Sequence, residues 1–251
     1  GNIGIGKDCL AALTSGTYNV IIGYEAGDAF TTGANNVAIG KSALGAITTG
    51  GRNIAIGVGA LDGINDEYDN IAIGLDALGS GSMNTSEQNI AIGNYAGDAV
   101  TTGDGNVYIG HNAGGGNLAG SNQIAIGTGA GLLALSAHSM AIGSGAYDVG
   151  DAETENIAIG KDALGGSIAG AEYNVALGNY AGDAITSGDN NTCVGYNALS
   201  AATAGENNTA LGSGAGVLMT GSEGVFIGKN AGSNATTGGA HICIGSATSL
   251  A

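Results

Sequence analysis

Short apolar phrases recur along the whole chain, and each of them ends in glycine. The phrase reads N-[IV]-A-I-G, and its closing glycine, called the strand glycine below, falls at positions 6, 23, 40, 57, 74, 93, 110, 127, 143, 160, 178, 195, 212, 228 and 245. Most copies are 17 residues apart, and the other spacings are 16, 18 or 19. A short period that fills a chain is typical of solenoids, in which each repeat forms one coil.

Alternation within each phrase predicts one short β-strand. The residue before the strand glycine is always Ile, Leu or Val, and the residue two positions earlier is apolar except at Thr192 and Thr209. These two positions share one face of a strand, because side chains alternate between faces. We predict that this face forms the core of the coil. Its stacked isoleucines in the first coils would be Ile22, Ile39, Ile56, Ile73, Ile92 and Ile109.

Asparagine stands four residues before the strand glycine in eleven copies. When coils stack in parallel register, these side chains lie above one another and are expected to form a hydrogen-bonded amide ladder. A second glycine follows ten residues after the strand glycine in many copies and predicts a second bend. The ladder residues of the first coils would be Asn19, Asn36, Asn53, Asn70, Asn89 and Asn106.

The residue between the two apolar strand positions is small in most copies. A strand with both faces apolar is buried on both sides, so we predict that this second face packs against another copy of the chain. A monomeric solenoid with a ligand groove is the alternative. The interchain residues would be the nine alanines at this position, Ala38, Ala55, Ala72, Ala91, Ala125, Ala141, Ala158, Ala176 and Ala210.

These patterns predict an all-β fold, a parallel β-roll or β-solenoid of about fifteen 17-residue coils, which covers residues 1–251 as one domain. The composition agrees, since 51 glycines accompany 43% hydrophobic residues and no proline, which excludes both disorder and collagen. Repeat sequence already occupies both ends of the chain, which predicts a segment of a longer protein.

The charge narrows the set of partners. A net charge of −16 with only five basic residues argues against nucleic acid as a partner. No apolar run is long enough to span a bilayer, so we expect no membrane insertion.

The phrases NVAIGKSALGAITTG, NYAGDAVTTGDGNVYIG and NNTCVGYNALSAATAGENNTALG resemble the head repeats of trimeric autotransporter adhesins and the repeat arrays of phage tail fibres. The resemblance covers essentially the whole chain. It implies a left-handed parallel β-roll, a homotrimer with the strand phrases near the threefold axis, and an extracellular location on a virion tail fibre or a bacterial surface. The function it implies is a structural or adhesive fibre segment that presents or forms a receptor-binding surface.

Catalytic and metal chemistry find little support in the sequence. His111, His138 and His241 occupy three different positions of the repeat, and Cys9, Cys193 and Cys243 each fill a slot that is usually alanine. We therefore expect no enzyme, cofactor or metal site. A fibre-borne glycoside hydrolase would need paired carboxylates, for which only Glu153 and Glu155 stand out.

The aspartates five residues after the strand glycine never occur in successive coils, which predicts avoidance of a charge ladder. They are Asp28, Asp62, Asp98, Asp148 and Asp183.

Four tyrosines are candidates for a receptor-facing surface, since they follow the strand glycine by one or two positions. They are Tyr24, Tyr95, Tyr180 and Tyr196. Lateral binding of a cell-surface glycan on such rings is the alternative function, and ice binding by the threonine pairs is a weaker one, because turn chemistry explains those pairs better. Two variable segments, 79–88 and 150–155, are further candidates for recognition, because binding residues concentrate on loops.

Overall fold

The computed structural model describes residues 1–63, 68–79, 86–116, 119–132, 138–148, 155–166 and 169–247. Within these ranges the chain is an all-β parallel β-solenoid without a helix, which confirms that part of the prediction, and it has about 13 turns where about fifteen coils were predicted. The chain divides into two units, Gly1–Gln123 and Ile124–Ala251. The candidate recognition segment 79–88 lies largely outside the described residues, as does 150–155, which includes Glu153.

Each predicted strand phrase forms a strand of three residues. The strands of the first unit are β1 (Ile3–Ile5), β2 (Val20–Ile22), β3 (Val37–Ile39), β4 (Ile54–Ile56), β5 (Ile71–Ile73), β6 (Ile90–Ile92) and β7 (Val107–Ile109). Those of the second unit are β8 (Ile124–Ile126), β9 (Met140–Ile142), β10 (Ile157–Ile159), β11 (Val175–Leu177), β12 (Thr192–Val194), β13 (Thr209–Leu211), β14 (Val225–Ile227) and β15 (Ile242–Ile244).

Within each unit, consecutive strands pair in parallel and in register. Ala38 of β3, for example, lies opposite Ala55 of β4, and the flanking residues pair in the same way. Like side chains therefore stack on like side chains from one coil to the next.

The strand glycines end the strands for two reasons. Gly40 has φ of +142°, a backbone conformation that side chains disfavour. In addition, a Cβ atom at Gly40 would overlap the carbonyl group of Gly57 in the next coil. The second glycine of the repeat is required for a different reason from the strand glycine. Gly103 does not have a positive φ, but a Cβ atom there would overlap the carbonyl oxygen of Gly120. This glycine therefore allows close stacking of backbones.

The asparagine ladder is confirmed. Asn36 accepts at Oδ1 the backbone N–H of Asn53 at 2.9 Å, and its own backbone N–H donates to Oδ1 of Asn19 at 2.9 Å. Its Nδ2 donates across the coil to the carbonyl oxygen of Gly50 at 3.0 Å. The same arrangement continues through the buried asparagines of both units, so each amide joins two coils and also ties together two distant segments of one coil.

The predicted facing of the strands is wrong. Every one of the nine alanines predicted to contact another chain is completely buried inside its own chain, where it lines the interior of the coil. The flanking residues, including Ile22, Ile39, Ile56, Ile73, Ile92 and Ile109, point outward and are only partly covered. They do stack in register, as expected for a ladder, but the ladder lies on the outside of the solenoid.

Alternation along the strand explains this facing. Asn36 is buried, and Ala38 lies two residues later, so both side chains point into the coil. Val37 and Ile39 must then point outward. The interior holds three further columns, which lie three, four and seven residues after the strand glycine and are represented in one coil by Ala43, Leu44 and Ile47, all fully buried. A coil this slim has space for alanine but not for isoleucine at most inward strand positions.

Glycines make room where the inward strand residue is large. Tyr108 is fully buried, and its ring lies where Cβ atoms on Gly97 and Gly114 would be. Phe226 occupies the same position in its coil and is flanked in the same way by Gly216 and Gly232. The total interior volume is thus conserved although individual positions vary, as close packing requires.

Replacing a buried ladder residue should destabilise the chain strongly. Asn191→Leu keeps the side-chain volume similar but leaves the backbone N–H of Asn208 and the carbonyl oxygen of Gly205 without their partners. Two buried groups left unpaired should cost about 2–4 kcal/mol in the free energy of unfolding, measured by chemical denaturation at fixed protein concentration. Asn179→Leu is the matched control, because Asn179 is exposed and water can replace its bond to the Lys161 N–H. Equal losses for both variants would contradict the role of the ladder.

Candidate functional site

The outward strand residues form a largely apolar surface on each unit, which we call the strand face; Thr192 and Thr209 are its polar members. It consists of the first and third residues of each strand. Ile39 is 40% exposed and Leu177 is 45% exposed, although their stacked neighbours cover part of each side chain. Contiguous apolar surface of this kind marks an interaction site in soluble proteins.

Two charged borders flank the strand face. The amino edge comprises the positions five and six residues before the strand glycine, and the carboxyl edge comprises the first two positions after it. The amino edge carries one basic residue, Arg52, and eight acidic residues, which are Asp69, Glu87, Asp104, Glu155, Glu172, Asp189, Glu206 and Glu223. All four lysines of the chain lie on the carboxyl edge, directly after the strand glycine, at positions 7, 41, 161 and 229, and four acidic residues balance their charge there, which are Asp8, Glu25, Asp76 and Asp162.

Two clusters of lysine and tyrosine stand on the carboxyl edge. In the first unit, the ammonium groups of Lys7 and Lys41 lie 5.5 and 5.9 Å from the ring centre of Tyr24, one from the coil before it and one from the coil after it. In the second unit, Lys161 lies 5.1 Å from the ring centre of Tyr180 and donates to its hydroxyl oxygen at 2.7 Å. Tyr196 meets Tyr180 edge to face, with ring centres 6.0 Å apart.

All four predicted receptor-facing tyrosines therefore lie on the carboxyl edge, but they differ in exposure. Tyr24 and Tyr196 are exposed, whereas Tyr95 and Tyr180 are partly covered. Tyr95 packs edge to face against His111, with ring centres 6.0 Å apart. Whether these rings meet a receptor stays a prediction.

The amino edge carries two exposed tyrosines that the sequence reasoning did not single out. Tyr18 is 69% exposed and Tyr173 is 49% exposed. Each lies directly before a buried ladder asparagine and has a positive φ, near +60°. A bulky side chain in that conformation is uncommon. A tyrosine directly before the ladder asparagine is therefore the signal that marks this position in the sequence.

An ion pair also lies on the amino edge. Arg52 donates to both carboxylate oxygens of Asp69 in the next coil, at 2.6 and 2.7 Å. This pair holds the pKa of Asp69 below its usual value.

The histidines and cysteines do not assemble a catalytic site in the described residues. His138 is exposed, His241 is partly covered, and the two occupy different positions of the coil. Cys193 is buried in an inward strand position, and burial raises the pKa of its thiol to about 12. A thiol with this pKa is protonated at neutral pH and is a poor nucleophile. Within the described ranges, no group of three His, Cys, Asp or Glu side chains could hold a metal ion.

Half-buried aspartates in adjacent columns approach one another. Asp62 lies near Asp76 of the next coil, and burial together with that second carboxylate raises the pKa of Asp62 to about 6. Burial also raises the pKa of Asp148 and of Asp183, each of which feels the charge of Asp162. The predicted avoidance of a charge ladder thus holds within one column of the coil but not between two columns.

Comparison with protein-family models, with curated proteins and with solved structures finds no match for this chain. In the described part of the chain, no helix could cross a lipid bilayer.

The raised pKa of Asp62 predicts a pH-dependent effect of its neutral replacement. The folded pKa of about 6 exceeds the ordinary 3.8, so folding favours the protonated form, and that contribution is lost as the pH rises through 6. Asp62→Asn should therefore melt at a higher temperature than the wild type above pH 6, with the difference shrinking towards pH 3.8. Thermal unfolding across this pH range measures it.

Asp69→Asn is the control with opposite sign. The pKa of Asp69 is lowered by Arg52, so its contribution is present above the unfolded pKa and is lost as the pH falls. This variant should be less stable than the wild type at neutral pH and equal to it in acid. A difference between Asp62→Asn and the wild type that does not vary with pH would contradict the assignment for Asp62.

Proposed function

We propose that this chain is a structural and adhesive segment, a shaft or a head, of an extracellular trimeric fibre on a phage tail or a bacterial surface. In this role it presents or itself forms a receptor-binding surface. The proposal combines the strand face of the structure with the sequence resemblance to trimeric fibre repeats.

The exposed strand face carries the proposal. Two side chains point outward from every coil, and both are apolar except where Thr192 and Thr209 take the first strand position. Successive coils are stacked roughly 4.8 Å apart. Such a surface repeats along each unit without interruption by a charged residue at the described strand positions. Burying it against identical surfaces would remove apolar area from water at every coil, at about 25 cal/mol per Å².

A ring of three chains would turn the three strand faces towards a common axis. The number three and a left-handed coil are implied by the resemblance to trimeric fibres, and the structure contributes the face that such an assembly would bury. The alanines assigned to this contact from the sequence are replaced in the proposal by the outward residues on either side of them.

The mechanism of such a segment is mechanical. Backbone ladders and asparagine ladders run along each unit, so a load along the stack of coils is shared by many hydrogen bonds in each coil. Threonine hydroxyl groups add a further ladder, in which Thr31 Oγ1 donates to the Thr48 carbonyl oxygen at 3.0 Å. An acidic segment cross-linked in this way would hold a binding surface away from the particle that carries it.

Lateral glycan binding is the second candidate function, and the exposure of Tyr24 and Tyr196 favours it. Exposed aromatic rings provide flat apolar surfaces against which a sugar ring can stack. Binding of the intact chain to a glycan array, abolished by Tyr24→Ala or Tyr196→Ala at unchanged oligomer size, would support this function. Binding that persists in both variants would contradict it.

Size in solution tests the proposed assembly. The chain has a mass of 23.9 kDa, so the trimer should have a mass of about 72 kDa by light scattering. Leu177→Lys places a charge on the strand face and should shift the mass towards that of the single chain, with the β-sheet signal in circular dichroism retained. Thr102→Lys is the matched control, because Thr102 is exposed away from the strand face, and it should leave the mass unchanged. A wild-type chain that is monomeric would contradict the proposal.

A further inference from the structure

We infer that Tyr18 and Tyr173 set the direction and register of self-association, each by packing against the lysine–tyrosine cluster on the carboxyl edge of a neighbouring parallel copy. The inference rests on the proposed self-association through the strand face. It adds that the amino edge of one copy meets the carboxyl edge of the next, that the copies run parallel, and that tyrosine side chains make the contact.

In the first unit, the two components stand at the same level of the coil stack. Tyr18 precedes β2 on the amino edge, and Tyr24 follows the same strand on the carboxyl edge. Because Tyr24 lies between Lys7 and Lys41, the cluster presents an aromatic ring flanked by two ammonium groups. An exposed tyrosine ring can meet such a cluster both edge to face and as a cation–π acceptor.

The second unit repeats the arrangement with different residues. Tyr173 precedes β11 on the amino edge, and Tyr180 follows the same strand on the carboxyl edge. Lys161 lies in the coil before Tyr180, and Tyr196 lies in the coil after it. Nine tyrosines occur in the chain, yet both exposed amino-edge tyrosines at this position fall on coils that also carry a carboxyl-edge tyrosine. The levels of β2 and β11 thus each hold both halves of one contact.

Symmetry decides which edges meet. Around an axis parallel to the stack, every copy points the same way, and the amino edge of one copy meets the carboxyl edge of the next at the same level. Around a twofold axis perpendicular to the stack, copies run antiparallel, and each edge meets its own kind. Only the parallel arrangement brings Tyr18 of one copy to Tyr24 of another.

Charge favours the same arrangement. An antiparallel pair would bring one acidic amino edge against another acidic amino edge, and such like-charge contacts oppose association. In the parallel arrangement, Lys229 faces the neighbour's amino edge at the level of Glu223, since both residues flank β14. Lys161 faces it at the level of Glu155 for the same reason, with β10 between them. Both lysines and both glutamates are exposed.

Cross-linking between singly substituted chains tests the inference. The background would carry Cys9→Ala, Cys193→Ala and Cys243→Ala, because alanine fills these slots in other coils. Chains with Tyr18→Cys and chains with Tyr24→Cys are refolded together and treated with a short bismaleimide. We expect a covalent dimer that joins one chain of each kind, and the same result for Tyr173→Cys mixed with Tyr196→Cys. Chains with Tyr18→Cys alone should not cross-link to one another.

The outcomes separate this inference from the proposed function. A covalent dimer of Tyr18→Cys with itself, and none with Tyr24→Cys, would overturn the parallel arrangement. An assembly of unchanged mass in which neither mixture cross-links would overturn the tyrosine contacts and leave the proposed self-association standing. A background chain that is monomeric before labelling would contradict the proposed function itself, and the inference with it. Light scattering on each mixture before treatment distinguishes the last two cases.

Discussion

The buried asparagine of each coil is the constraint on which the rest of this structure depends. Its Oδ1 accepts the backbone N–H of the next asparagine, and its Nδ2 reaches a carbonyl group on the far segment of the same coil, as between Asn191, Asn208 and Gly205. An amide inside a slim coil must satisfy these bonds, because an unpaired buried polar group is costly. Its inward direction then determines the direction of every side chain in the strand that follows.

The inward direction of the asparagine side chain determines which strand residues reach the surface. The second residue of each strand points inward and must be small, or be matched by glycines as Tyr108 is by Gly97 and Gly114. The first and third residues point outward and form the strand face. The ladder asparagine precedes each strand and the strand glycine follows it, so these two positions bound the strand face. The side chains just beyond them form its amino edge and its carboxyl edge. Charge and tyrosines are distributed unequally between the edges, which gives the face a direction.

The sequence was sufficient to predict the repeat, the strand positions and the asparagine ladder, because like residues recur at a fixed spacing. The facing of the strand was predicted wrongly, although alternation already required Asn36 and Ala38 to share a side. The prediction instead placed Ile39 in the core because isoleucine is more apolar than alanine. Other features run against the ordinary preference of the residue type and could not be predicted from it. Leu44, for example, adopts a left-handed backbone conformation that leucine disfavours. The approach of Asp62 to Asp76 arises only when two columns of adjacent coils converge.

Thiol accessibility along one strand tests the facing of the strands most directly. Single cysteines at Val175, Ala176 and Leu177 of β11 would be placed in the cysteine-free chain and labelled with a maleimide, with and without Leu211→Lys, which should separate the proposed assembly. The structure predicts that the cysteine at 176 resists labelling in both states, because it lies inside the coil, whereas those at 175 and 177 react once the chains separate. Labelling at 176 in the folded, dissociated chain, with 175 and 177 protected, would contradict the account.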